Sequence, residues 1–294
     1  MSFREFLAAQ QQVVDRELEQ LVPDESVDPS TIHRAMRYSL FAGGKRIRPL
    51  LCLSAAAAVS DSTDGAVTAA CTLEFIHTYS LIHDDLPALD NDDYRRGKLT
   101  CHRVFGEAIA ILAGDALLTL AFQTLSTRLT IDDSRKTLLI AELSEAAGTV
   151  GGMIGGQVAD LEGEGKPPDA ELLESIHRAK TGALLRASVR MGGIYTSATA
   201  AQATALSCYG EHVGLAFQMI DDILDVEESS EALGKTAGKD AQQLKITFPA
   251  VYGLAESRRM AEVERQKAHI ALEPFGTRAQ RLHELADLIV QRKT

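Results

Sequence analysis

LEFIHTYSLIHDDLPALDNDDYRRGKLTCH, residues 73–102, begins as an apolar helix and ends in a charged loop. Ile76, Leu81, Ile82 and Leu86 should hold that helix in a core, so Asp84 and Asp85 emerge at its C-terminal end, where the macrodipole disfavours negative charge. Asp90, Asp92 and Asp93 follow directly. Carboxylates packed this closely repel one another and call for a cation. A solvated acidic cap on a helix is the plain alternative. Mg2+ suits the pattern, because it is a hard ion that takes carboxylate oxygens, keeps several waters and is commonly completed by phosphates. Arg95 and Arg96, just beyond, offer forked donors that match phosphate oxygens.

A second acidic cluster lies in FQMIDDILDVEESSEALGKTAGKDAQQLKITFP, residues 217–249. Asp221 and Asp225 are four apart and share a helix face, with Asp222 alongside. Like charges at that spacing are mildly destabilising, and no lysine follows at the compensating position, so a shared cation is the simple explanation. Downstream, GKTAGKD has neither the spacing of a P-loop nor a preceding strand. The stretch 228–243 is expected to be a lid whose lysines reach phosphate; an exposed basic loop is the bland alternative.

Outward from these clusters the chain reads as helix after helix. Phe3, Phe6, Leu7, Val13, Val14, Leu18 and Leu21 fall at helical spacing and end at Pro23. Further helices are expected at about 31–42, 49–60, 65–86, 105–129, 134–160, 169–192, 198–227, 244–273 and 277–292. No stretch alternates with period two, so no sheet is expected, and 61–64, 87–104 and 161–168 join 228–243 as loops. Trp is absent, aromatics are 5% and hydrophobic residues 45%, a balance suited to close helix packing. The expected fold class is all-α, a single domain over 1–294.

The net charge of −11 excludes a nucleic-acid binder of the ordinary basic kind. Cys52, Cys71, Cys101 and Cys208 are scattered without a C-x-x-C pair, and are expected to be reduced, half-buried residues. The charged N-terminus fits neither a signal nor a transit sequence, and no transmembrane helix is read, so no stable membrane insertion is expected. The expected location is cytoplasmic.

GGKRIRP at 43–49, DDLPALD at 84–90 followed by RRG at 95–97, and DDILD at 221–225 occur in one order over about residues 30–250. In this the chain strongly resembles the trans-isoprenyl diphosphate synthases, specifically the bacterial farnesyl diphosphate synthases and their geranylgeranyl relatives. The resemblance implies a homodimeric bundle of long helices around a deep apolar pocket, with the two aspartate motifs facing across its mouth. It implies Mg2+, three ions, held by Asp84 and Asp90 with support from Asp85, and by Asp221 with Asp222 and Asp225 acting through waters. Lys45, Arg48, His77 and Arg96 match positions that hold isopentenyl diphosphate. Arg95, Lys180, Thr181, Gln218, Lys235 and Lys245 match those that hold the allylic diphosphate. Each has a bland rival: His77 as a satisfied core histidine, Lys180 on a helix surface, Thr181 bonded to the preceding turn, Gln218 in a helix–helix hydrogen bond. Thr181-Gly182 also interrupts an apolar helical face, as a kink beside a phosphate would.

The activity the resemblance implies is ionisation of an allylic diphosphate, attack by the alkene of isopentenyl diphosphate on the cation, and loss of a proton to the departing diphosphate. Farnesyl diphosphate is the expected product, with geranylgeranyl diphosphate the alternative. The resemblance makes Tyr79 the pocket floor. Helix angles do not show this independently: five residues turn Tyr79 about 140° from Asp84, whereas Ser80 and Ile76 share the Asp84 face better. A terpene cyclase would carry more aromatics to stabilise cations. A non-catalytic partner subunit would be expected to lose one cluster, and both are intact.

Overall fold

Residues 1–167, 169–227 and 245–292 are described by the computed structural model, and all but two very short strands of their regular structure is helical. The fold class is all-α. The chain divides into one unit of residues 1–50 and 64–140 and another of 51–63 and 141–294.

In the first unit, α1 (Phe3–Leu21) opens with a capping box, Ser2 accepting from the Glu5 amide while Glu5 accepts from the Ser2 amide. Its inner face reaches α4 (Ala66–Asp84), where the Cys71 thiol lies 3.8 Å from Val14 O and Thr68 donates to Glu17 at 2.5 Å. α4 is apolar on every side, with Ala69, Ala70, Leu73, Phe75 and Ile76 buried, and such a helix belongs at the centre of a core. α2 (Ser30–Leu40) and α6 (Glu107–Thr127) pack against it, and α3 starts at Ile47. By length and composition alone α6 is apolar enough to cross a bilayer, with mean hydropathy 1.7 over its best window. It nevertheless carries Asp115 in mid-helix, 3.9 Å from the His83 imidazole on α4, and leaves Ile111 and Leu112 exposed.

The expected loop 87–104 is corrected in two places. It contains an antiparallel hairpin, β1 (Tyr94–Arg95) with β2 (Lys98–Leu99), and a short helix, α5 (Cys101–Phe105). Arg96 and Gly97 form the two-residue turn with φ of 53° and 74°, the positive values that a type I′ hairpin turn demands. Strands of two residues are too short to print a period in the sequence.

In the second unit, α7 ends at Ala147 and α8 runs Met153–Gly163, so the expected helix 134–160 is broken at the glycine-rich stretch between them. α9 (Ala170–His177) passes through a π-helical turn, Arg178–Gly182, into α10 (Ala183–Tyr195). The interruption anticipated at Thr181-Gly182 is thus one wide turn rather than an end. α11 (Ala200–Glu227) packs on α10 and on α13 (Leu254–Ala271), and α12 (Phe248–Tyr252) is separated from α13 at Gly253, so 244–273 is not one helix. α14 (Gln280–Gln291) closes the unit. Leu173, Leu215, Met219, Ile220, Ile223 and Phe248 form a buried cluster beneath the second aspartate motif. Burying each such side chain contributes about 1.5–3 kcal/mol. Cys52, Cys71 and Cys101 are buried and free, deeper than expected, while Cys208 is half-buried.

Candidate active site

At the end of α4 the chain folds back on itself. The Asp90 amide donates to Asp84 O at 2.8 Å and the Asp92 amide to Asp85 O at 3.2 Å, so six residues of sequence collapse into one turn that brings Asp84 and Asp90 together. Asp85 turns inward and is buried; Nε and Nη2 of Arg95, on β1, reach its Oδ1 at 2.7 and 2.6 Å. Burial pushes the Asp85 carboxyl up, and Arg95 opposes that shift. Part of the charge that sequence reading left for a metal is therefore answered by a guanidinium. Thr100 fastens the loop by donating to Asp92 O at 2.7 Å, and Tyr38 of α2 donates to Leu99 O at 2.7 Å.

A basic group gathers beside this turn. The Arg96 guanidinium donates to Gly43 O, joining RRG to GGKRIRP. His77 is held well below the ordinary imidazole range, first by burial and then by Arg48, Arg96, Arg95 and Arg46. Arg48, His77 and Arg96 thus come together, and Lys45 is exposed on the same segment, its carbonyl accepting from Gln11 at 3.0 Å. Arg46, unassigned from sequence, is buried: it donates to Asp15 at 2.9 Å, to Glu74 at 3.1 Å and to Leu40 O at 2.9 Å. It anchors the loop.

Because His77 stays neutral in the folded protein, the unfolded chain takes up a proton that the folded chain refuses as pH falls below 6.5, and stability is lost in that direction. His77→Asn is expected to flatten the loss of unfolding free energy below that pH, measured by urea titration across a pH series; an unchanged slope would mean that His77 titrates normally.

Tyr79 is buried with its hydroxyl lacking a hydrogen-bond partner, its ring edge-on to His83 at 5.8 Å, and its phenol pushed up to about 12 by burial and then by Asp84. Ile76 is fully buried, and Ser80 is half-buried and bonded back to His77 O at 2.9 Å.

On the second unit Asp222 is buried at the centre of a network. Its Oδ2 accepts from His177 Nε2 at 3.1 Å and from the Phe248 amide at 2.9 Å. Its Oδ1 accepts from Gln218 at 2.9 Å, whose own amide oxygen accepts from Thr181 at 2.8 Å. Thr181 and Gln218, assigned together from sequence, do meet. Asp221 accepts from Arg292 Nη2 at 2.7 Å, a guanidinium that also lies 3.9 Å over the Phe217 ring. No lysine stands at i+4 from Asp221, and its protein cation comes instead from a residue 71 positions along the chain. Asp225 is buried. Lys180 lies 2.7 Å from Asp160 Oδ2 and Lys245 3.7 Å from the same oxygen. Lys235 and the expected 228–243 lid lie outside the described residues.

Among the described residues no three His, Cys, Asp or Glu side chains form a ready ligand set. Mg2+ does not require one, because it commonly takes one or two carboxylates and completes its shell with water and phosphate. The part-exposed carboxylates of Asp84 and Asp90, brought into one turn, fit that demand. Asp85 and Asp222 are committed to protein donors. Sequence reading missed Asp160, His177, Arg46 and Arg292; each has an oppositely charged partner 20 or more residues away, beyond any local spacing rule.

The polyprenyl synthetase family model matches residues 29–280. The farnesyl diphosphate synthase of Geobacillus stearothermophilus is 49% identical over 263 residues, covering 88% of this chain and 87% of that one. The chloroplastic geranylgeranyl pyrophosphate synthase of Capsicum annuum is 47% identical over 275 residues, covering 92% and 74%. Among solved structures, a geranyltransferase from Legionella pneumophila matches with a TM-score of 0.88 and 35% identity, covering 99% of this chain and 97% of that one.

Proposed function

Because the chain belongs to the polyprenyl synthetase family, whose members are prenyltransferases acting on isoprenoid diphosphates, we propose that it makes farnesyl diphosphate, condensing isopentenyl diphosphate with dimethylallyl or geranyl diphosphate. The observation that carries this reading is the pairing, in a chain of net charge −11, of the Asp84–Asp90 turn with the basic group of Arg48, His77 and Arg96. Hard oxygens beside clustered guanidiniums are what a metal-bound diphosphate requires.

Arg48 and Arg96 hold the isopentenyl diphosphate, with Lys45 at the exposed edge and neutral His77 hydrogen-bonding without adding charge. Lys180, Thr181, Gln218 and Lys245 hold the allylic diphosphate and stabilise the charge that builds on it as its carbon–oxygen bond breaks. Asp84 and Asp90 would hold Mg2+ on the first unit and Asp221 on the second, and the metal would add neutralisation of diphosphate charge. The isopentenyl alkene then forms the new carbon–carbon bond to the allylic cation. The released diphosphate takes the proton that restores an alkene, since no carboxylate or imidazole among the described residues is assigned as a base.

The proposal includes action in the cytoplasm as one domain, and a homodimer formed through α6, whose exposed Ile111 and Leu112 leave an apolar face to cover. Charging that face with Ile111→Glu and Leu112→Glu is expected to give monomers in sedimentation; an unchanged dimer would place the interface elsewhere.

Product length is tested by supplying isopentenyl diphosphate with five-, ten- and fifteen-carbon allylic diphosphates and weighing the products. Growth that stops at fifteen carbons supports the farnesyl reading. Growth to twenty supports the geranylgeranyl alternative, which the Capsicum relative keeps open. Tyr79, buried on α4, is proposed as the floor, so Tyr79→Ala is expected to lengthen the product by one isoprene unit or more. No change in length would pass that role to Ser80 or Ile76.

A further inference from the structure

Lys180 and Lys245 are brought together by a residue that no motif singles out. Asp160 on α8 is buried, and its Oδ2 lies 2.7 Å from Lys180 Nζ and 3.7 Å from Lys245 Nζ. We infer that Asp160 is a positioning residue, holding the two ammonium groups as a matched pair for the allylic diphosphate. The inference rests on the reading of those lysines given above.

Both ammonium groups turn to one carboxylate oxygen, so a single buried group sets where the two charges stand. Burial alone would raise the Asp160 carboxyl, but Lys180 and Lys245 outweigh it and hold the group below its ordinary range, so it stays ionised. Without it, two ammonium groups on converging segments would repel and separate.

The backbone around Asp160 is built to fixed tolerances. Gly156, one turn earlier on α8, lies against the π turn so closely that a Cβ there would stand 2.2 Å from the Lys180 amide nitrogen. The wide turn sends adjacent side chains to different helices: Lys180 to Asp160 on α8, and Thr181 to Gln218 on α11. Lys245 arrives from a third segment, directly before Ile246 and Phe248, which are buried in the cluster beneath the second motif. Asp160 therefore fixes the spacing of two phosphate-seeking charges relative to each other, without touching substrate.

The test is a kinetic and binding cycle on the full chain. Asp160→Asn is expected to raise KM for geranyl diphosphate about tenfold or more while leaving KM for isopentenyl diphosphate within about twofold, because only one subsite loses its preorganisation. Asp160→Glu, which keeps the charge, is expected to recover most of the affinity. In a Lys180→Met, Lys245→Met background the further change Asp160→Asn should add almost nothing, since a residue acting only through those lysines has nothing left to act on. Equal rises in both KM values, an additive loss in that background, or a folded Asp160→Glu as impaired as Asp160→Asn would each overturn the inference. Thermal unfolding identifies any variant that fails to fold, in which case Asp160→Glu in both backgrounds carries the comparison. Calorimetric titration with inorganic diphosphate needs no turnover, so weakened binding in Asp160→Asn supports the clamp even if the wild-type chain condenses nothing. Unchanged diphosphate affinity in Asp160→Asn would overturn it.

Discussion

Asp84→Ala is expected to release diphosphate from geranyl diphosphate about 10²–10³ times more slowly than the wild-type chain in single-turnover assays, while unfolding at the same temperature or slightly above it. The two halves of that result have separate causes. Asp84 closes α4 at its C-terminal end, where the macrodipole makes a carboxylate unfavourable, so its removal costs the fold little. The proposed metal role accounts for its presence there, on a turn that joins its carbonyl to the Asp90 amide. Loss of turnover with stability kept is the mark of a group retained for chemistry. Retained turnover would remove Asp84 from the site. Loss of Asp85 should lower stability as well, because its carboxylate is buried against Arg95 and its removal strands a guanidinium.

Arg46→Met should be the most damaging single change to the fold, costing about 3–5 kcal/mol in urea unfolding. Arg46 and Glu74 are both nearly inaccessible to solvent, at 4% and 2%, so removing Arg46 leaves a buried carboxyl without its hydrogen-bonded partner. Leu40 O loses its donor at the same time. Adding Glu74→Gln to Arg46→Met should recover part of the loss, since breaking a buried pair costs more than deleting both charges. A cost below about 1 kcal/mol would show that water reaches this pair.

How far the sequence reached depends on whether a feature is local. α1, α4 and α11 declare themselves because apolar residues recur with the helix, and the acidic clusters because their members are neighbours. The hairpin at Tyr94–Leu99 escapes because two-residue strands carry no period and its turn is Arg-Gly rather than Asn-Gly. The break before α8 had a local mark, the pair Gly151-Gly152, a turn signal that a continuous helix over 134–160 passes over. Within the site, Lys180, Thr181 and Gln218 came from resemblance, while Asp160, His177 and Arg292 did not come at all. A salt bridge between α8 and the π turn, or between Asp221 and a C-terminal arginine, leaves no spacing signature. The one local hint was Asp160 itself, a lone acid at the end of the glycine-rich stretch GGMIGGQVAD.

The central claim is head-to-tail condensation. The most direct measurement mixes the chain with Mg2+, isopentenyl diphosphate and geranyl diphosphate, then follows diphosphate release and product mass together. One diphosphate released for each new carbon–carbon bond, a fifteen-carbon diphosphate as product, and arrest when a chelator removes the metal are the expected results. Diphosphate release without any prenyl diphosphate longer than the starter, or no reaction with any of the three starters, would contradict it.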